Sequence, residues 1–245
     1  MPHVAETIVW ITGASSGIGA ALVETVPFDH VRVIDISRSG GVPGAEHLPA
    51  DLADPRSWQE VGEHLHAELG GFTGSRVVFV HCAATLQPIG LAGEVDSPAY
   101  RRNILLNSAA PQALGQVFLA AIAGLECARH LLLISSGAAR TIYEGWSSYC
   151  AGKAAVDQWV RVAGAEQRRR PPGCQVLAIS PGAVATPMLK QLPQLAAQDF
   201  PAARKFGELL ASGRAKAPGE VARGIWGLFD HDIDSGRIID LREWL

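Results

Sequence analysis

Six short apolar runs rich in β-branched residues recur along the 245-residue chain: TIVWIT at 7 to 12, VRVIDI at 31 to 36, RVVFVHC at 76 to 82, HLLLISS at 130 to 136, CQVLAIS at 174 to 180 and GRIIDL at 236 to 241. Segments with helical apolar spacing, such as SWQEVGEHLHAEL and AAPQALGQVFLAAIAGL, lie between most of them. This alternation predicts βαβ units, hence a parallel sheet with helices on both faces in a three-layer α/β/α architecture. No Gly/Ser linker, repeat or low-complexity tract divides the sequence, so residues 1–245 are expected to form a single domain. A hydrophobic content of 48% is enough to fill its core.

A net charge of −3 gives no basic footprint for nucleic acid or an anionic membrane, so the expected partner is a small molecule. The four cysteines, Cys82, Cys127, Cys150 and Cys174, have no CxxC or metal-type spacing, and no metal site is expected. Reduced thiols in a cytoplasmic protein are the simplest reading. The start of the chain has no basic region ahead of its first apolar stretch, and no apolar run reaches the roughly 18 residues of a membrane span. The arginines of RRRPP at 168 to 172 suit the last turn of a helix stopped by Pro171 and Pro172.

Parallel strands place ligand sites at their carboxyl ends. After the first run comes Thr12-Gly13-Ala14-Ser15-Ser16-Gly17-Ile18-Gly19. Gly13 permits a tight turn, Gly17 lets the backbone approach a pyrophosphate, and Gly19 lets helix and strand pack closely, while free N–H groups and the helix dipole face the anion. The spacing, G-x-x-x-G-x-G, is one residue longer than the common dinucleotide fingerprint; on the first strand of an α/β pattern it predicts a Rossmann-type, doubly wound fold for a nicotinamide dinucleotide, although an ordinary strand-to-helix turn also fits it. The second run ends in VIDISRSG, where an acidic residue would bind the ribose hydroxyl of NAD(H) and an arginine the 2′-phosphate of NADP(H). Asp35 lies inside the apolar run while Ser37 and Arg38 follow it, a placement that favours NADP(H) and leaves NAD(H) open. Arg38 also fits a solvated loop, and Asp35 a strand-end carboxylate.

In SSYCAGKAAVDQWVRVAGAE, Tyr149 and Lys153 stand one helical turn apart on one face. A fixed cation favours the phenolate and moves a tyrosine toward the range of a general acid, and the small residues between the two leave room for the cofactor. Ser136 ends the run at 130 to 136, where its hydroxyl suits a substrate carbonyl oxygen. The pair alone also fits a surface helix face. Joined to a serine at a strand end and a nucleotide loop on the first strand, it points to carbonyl reduction by hydride transfer.

TGxxxGxG at 12 to 19, Asn107, Ser136, the YxxxK of Tyr149 and Lys153, and SPGAVAT at 180 to 186 together resemble the short-chain dehydrogenase/reductase family along nearly the whole chain. Within it, SGAA at 136 to 139, YEGWSSYC at 143 to 150 and SGRIIDLREWL at the end resemble the (S)-benzoin-forming benzil reductases and, more distantly, the sepiapterin reductases. The resemblance implies Tyr149 as proton donor, Ser136 as holder of the substrate oxygen, Lys153 at the nicotinamide ribose, and Asn107 behind a water-linked proton relay. It implies that Gly13, Ser15, Ser16, Gly17, Ile18 and Gly19 hold the pyrophosphate and that Ser37 and Arg38 stand at the ribose. It also sets Asp51 and Leu52 at the adenine, and Pro181, Gly182, Val184 and Thr186 at the nicotinamide carboxamide. Where the family usually reads NNAG, this chain has His81-Cys82-Ala83-Ala84, which removes the asparagine hydrogen bonds and the glycine beside the cofactor ribose, where Ala83 and Ala84 now stand. His81 is expected to be a hydrogen-bonded strand-end histidine and Cys82 a small buried hydrophobe.

Residues 187–216 occupy the place of the family's substrate-covering lid. Tyr143 and Trp146 fit either an aromatic pocket wall or the core. Asp240 aligns with the pterin-anchoring aspartate of sepiapterin reductases and is expected to orient the substrate, although a local backbone hydrogen bond fits it equally. The leading expectation is an NADPH-dependent reductase of α-dicarbonyls or aromatic ketones that assembles as a homodimer or homotetramer. An NAD-dependent alcohol or hydroxysteroid dehydrogenase and a nucleotide-sensing binding protein remain as alternatives.

Overall fold

A computed structural model describes residues 6–244; residues 1–5 and 245, the two ends of the expected domain and part of the stretch read for a leader, lie outside the described residues. Seven parallel strands form one sheet: β1 (Thr7–Thr12), β2 (Val31–Ser37), β3 (Glu46–Pro49), β4 (Arg76–His81), β5 (Ala128–Ile134), β6 (Gln175–Ser180) and β7 (Ile238–Asp240). Their spatial order is β3-β2-β1-β4-β5-β6-β7. The chain winds outward from β1 to β3 and then returns to place β4 beside β1. The switch point between β1 and β4, where Thr12 pairs with His81, is where a doubly wound sheet opens a ligand crevice.

Every residue of β1 is buried, as a central parallel strand covered on both faces requires. Alternate side chains serve two cores. Trp10, Phe79 and Leu131 face α2 (Pro55–Leu69), α4 (Ala110–Ala121) and α5 (Ser147–Arg168), with Phe118 of α4 set 5.4 Å from the ring of Phe79. Val9, Ile11 and Val78 face α1 (Gly17–Glu24) and α8 (Pro218–Gly227). The six apolar runs all became strands. The short edge strand β3, EHLP, escaped sequence reading because its residues are mostly exposed and only Leu48 carries an apolar signal.

Asp54 caps α2 by accepting from the Arg56 N–H, with Pro55 in the first turn, and Asp96 caps α3 (Ser97–Ile104) through the Ala99 N–H. A π-helical turn, Leu105–Ala109, joins α3 to α4 without a break. The resulting helix is long and apolar enough to cross a bilayer, yet Leu114 and Phe118 are fully buried against the sheet, as in a core helix. The last long helix before β6, α5, stops at Arg168, ahead of Pro171 and Pro172.

A third, smaller apolar cluster lies beyond the carboxyl ends of the strands. Trp146, Tyr149, Leu192, Phe200 and Phe206 form it, drawing on the start of α5 and on the segment that contains α6 (Pro187–Lys190) and α7 (Ala203–Ala211).

Candidate active site

Of the site residues expected from sequence, all but Asn107 and Asp240 line one cavity of about 740 Å³ at the carboxyl ends of the strands. That volume is within the usual range for small-molecule sites.

The glycine loop leads from β1 into α1. Gly13 (φ 68°) and Gly17 (φ 60°) adopt left-handed backbone, and a Cβ on Gly13 would lie 2.8 Å from Ala83 Cα. The loop therefore packs against the β4 loop with no room for a side chain. Ser16 stands at the N-cap of α1 but makes no side-chain cap, so the first-turn N–H groups face the cavity without an internal acceptor. This cradle fits the pyrophosphate of a dinucleotide.

At the end of β2, Ser37 and Arg38 line the cavity while Asp35 lies beneath, buried, with Oδ2 accepting the Ser37 hydroxyl at 3.0 Å. Asp51 lines the same end. Its Oδ1 accepts the Ala53 N–H and its Oδ2 accepts Arg102 Nη2 of α3 at 2.5 Å. Against the cost of burial, the Arg102 hydrogen bond holds the Asp51 carboxyl below its ordinary range. Arg102 also lines the cavity and was not singled out from sequence, because nothing in YRRNIL distinguishes it from a solvated helix arginine.

Thr12 Oγ1 accepts the N–H groups of Cys82 and Ala83, both at 3.1 Å, and shares a hydrogen bond with His81 Nδ1 at 3.1 Å. His81 is thus the hydrogen-bonded strand-end histidine expected: burial first, and then the Lys153 charge, push its pKa down to about 3. Burial likewise pushes the Cys82 thiol up to about 12, as befits a small hydrophobe.

Ser136 follows β5; its Oγ accepts the Ala138 N–H at 3.1 Å, and its hydroxyl hydrogen-bonds with Tyr149. Tyr149 and Lys153 rise from the first turns of α5, both buried. Lys153 Nζ donates to the Ile134 carbonyl at 2.8 Å and lies 5.7 Å from the Tyr149 ring centroid. The expected lowering of the tyrosine pKa does not hold in this state. Burial pushes Tyr149 up to about 12, outweighing the hydrogen bond with Ser136 that favours the phenolate. Burial also brings Lys153 down to about 8.

Asn107 stands behind these groups on the π-helical turn. Its side chain donates to the Thr85 carbonyl (2.7 Å) and Asn103 Oδ1 (2.8 Å) and accepts the Thr85 N–H (3.0 Å). A Cβ on Gly152 would lie 3.0 Å from Asn107 Cβ. The glycine between Tyr149 and Lys153 therefore makes room for Asn107.

On the far side, Tyr143 and Trp146 do form a wall, their rings 5.2 Å apart, with Phe206 of α7 5.6 Å from Trp146. Asp240 is outside the cavity lining: its carboxylate accepts Arg242 Nε (2.8 Å), Nη2 (2.5 Å) and the Arg242 N–H (3.2 Å). It is Arg242, two residues further on and passed over in sequence, that lines the cavity. Among the described residues no cluster of potential metal ligands occurs, and all four cysteines are free.

The profile of the short chain dehydrogenase family matches residues 7–196. A benzil reductase ((S)-benzoin forming) of Bacillus subtilis is 29% identical over 238 residues, covering 96% of this chain and 98% of its own. Mouse sepiapterin reductase is 35% identical over 108 residues, which are 44% of this chain and 40% of its own. In three dimensions, a short chain dehydrogenase/reductase of Saccharomyces cerevisiae superposes with a TM-score of 0.80 at 19% identity, covering 98% of this chain and 99% of its own. The shared fold, the full-length similarity and the profile match agree: the chain belongs to the short-chain dehydrogenase/reductase family of NAD(P)-binding oxidoreductases.

Proposed function

We propose that the protein is an NADPH-dependent carbonyl reductase acting on α-dicarbonyl or aromatic ketone substrates. The observation that carries this reading is the continuity of one cavity from the glycine loop and Arg38, past Ser136 and Tyr149, to the wall of Tyr143 and Trp146. Full-length similarity to a benzil reductase supports the substrate class. Arg38 at the cavity and Asp35 sealed below it support a 2′-phosphate. When bound, the reduced nicotinamide supplies the hydride that reaches the carbonyl carbon.

The remaining work falls to the chain. Ser136, hydrogen-bonded with Tyr149 before substrate arrives, turns its hydroxyl to the carbonyl oxygen, and that hydrogen bond gains strength as negative charge builds there. Tyr149, with a pKa near 12, holds its phenolic proton at neutral pH and releases it to that oxygen. Lys153, charged below about pH 8, lies beside the ring and stabilises the phenolate left behind. Asn107, held by Thr85 and Asn103, braces the turn behind these groups. The segment 187–216, which contributes Leu189, Leu192 and Phe206 to the cavity, acts as the cover that excludes water.

The test follows the reduced-nicotinamide absorbance as purified protein meets benzil, with NADPH and NADH in parallel. Rapid oxidation of NADPH is expected. Oxidation of NADH alone would return the cofactor choice to Asp35, and silence with both across a wider carbonyl panel would contradict the reading.

A further inference from the structure

The sequence points to Asp240 as a substrate anchor, which would select ligands that donate N–H groups. The structure reverses the polarity of that anchor. Asp240 grips Arg242 through Nε and Nη2, and it is Arg242, not Asp240, that lines the cavity. The grip uses one edge of the fork and leaves Nη1 and the outer Nη2 proton for another acceptor. The Arg242 stem packs on the Gly182 loop, within 3.1 Å of where a Gly182 Cβ would stand.

Lys205, from α7, lines the same part of the cavity with Nζ 5.3 Å from the Tyr143 ring centroid. Arg242 and Tyr143 are close enough to interact electrostatically, so both cations meet the aromatic wall at one place. Among the described residues, the one carboxylate lining the cavity is Asp51, paired with Arg102 at the end beside Arg38. Arg242 is ion-paired with Asp240, which stays outside the lining, while Lys205 has no ion pair among the described residues. The substrate end therefore combines an aromatic body, Tyr143 with Trp146 and Phe206, with the unpaired cation of Lys205 and the remaining donors of Arg242.

We propose that the preferred substrates are aromatic ketones carrying an anionic group, a carboxylate in the simplest case, with the aromatic part against Tyr143 and Trp146 and the anion received by Arg242 and Lys205. This rests on the carbonyl reductase reading above and narrows it. A bidentate guanidinium gives a carboxylate geometry as well as charge, while Lys205 supplies a mobile point charge from the covering segment. Substrates anchored by N–H donors, as Asp240 would have selected, are correspondingly disfavoured.

The test compares benzil with para-carboxybenzil under steady-state conditions in the wild-type protein and in Arg242→Met, Lys205→Met and the double variant, with the NADPH KM measured alongside. Methionine keeps an apolar stem on Gly182. The wild type is expected to show a kcat/KM ratio, carboxylated over neutral, of about ten, since one charge-assisted bidentate pair separates the two ketones. The ratio should shrink in each single variant, approach one in the double variant, and shrink in wild type as salt is added. A wild-type ratio of one or less, or a ratio that survives both substitutions, overturns the proposal while leaving the carbonyl reductase reading intact. A rise in NADPH KM with the ratio unchanged assigns the two cations to the cofactor and also overturns it. Failure to reduce either ketone with any nicotinamide contradicts the underlying reading instead.

Discussion

Lys153 stands 5.7 Å from the centroid of the Tyr149 ring while its ammonium donates to the Ile134 carbonyl at 2.8 Å, so the cation is fixed beside the phenol without bonding to it. Burial keeps Tyr149 protonated up to about pH 12 and Lys153 charged only up to about pH 8. The mechanism proposed above needs the tyrosine proton and a cation to steady the phenolate that forms. The kcat/KM for a neutral diketone is thus expected to hold level below about pH 8 and to fall above it as Lys153 loses its charge. In Lys153→Met the rate should drop about a hundredfold and the alkaline limb near that pH should disappear. A variant that keeps the limb would assign it to another group.

Arg102 and Asp51 predict a second effect. The pair is half exposed, so its own stability is slight. Its consequence is electrostatic, because a lone carboxylate near Arg38 would repel a 2′-phosphate dianion. Arg102→Ala should raise the NADPH KM about fivefold with little change for NADH, and adding Asp51→Asn should restore most of the loss. Equal effects on both cofactors would mean that Arg102 serves the adenine instead.

The strand-end histidine makes the protein sensitive to acid. With a folded pKa near 3 against an ordinary value of 6.5, His81 binds its proton only in the unfolded chain between those limits, so stability falls as pH falls through that window. The loss should amount to about 2 kcal/mol between pH 7 and pH 5. His130, held down to about 4 by burial, adds a loss of the same sign. Urea unfolding of His81→Asn at the two pH values isolates the first contribution, and a variant as acid-sensitive as wild type would contradict it.

Gly152 tests the packing behind the catalytic pair. Alanine in mid-helix ordinarily gains about 1 kcal/mol over glycine. Here its Cβ would meet Asn107 Cβ at 3.0 Å and the Asn107 carbonyl at 3.2 Å, and three side-chain hydrogen bonds keep Asn107 from yielding. Overpacking costs about 1–3 kcal/mol, so Gly152→Ala should lower the melting temperature and slow turnover together. A more stable variant would show that the π-helical turn gives way.

The parallel sheet, the glycine loop and the placing of Ser136, Tyr149 and Lys153 at one cavity were legible in sequence because each leaves a local mark: continuous apolar runs, small residues at fixed spacing, a tyrosine and lysine one turn apart. What stayed hidden depends on partners distant in the chain. Asp240 reads as a free carboxylate until the guanidinium of Arg242 is seen to occupy it. Arg102 gains its meaning from Asp51, 51 positions away. Thr12, read only as part of the glycine loop, also ties down the β4 loop by accepting two N–H groups across the strand pair. The tyrosine pKa went the other way from expectation because sequence shows a neighbouring cation but not the depth at which both groups are buried.

The central claim is that Tyr149 gives its proton to the substrate oxygen. Tyr149→Phe keeps the ring among Trp146 and Phe200 and removes only the hydroxyl. With benzil and NADPH, turnover is expected to fall by about a hundredfold to ten-thousandfold while NADPH binding, followed by its fluorescence, is unchanged. A phenylalanine variant that reduces benzil within a few-fold of wild type would contradict the account.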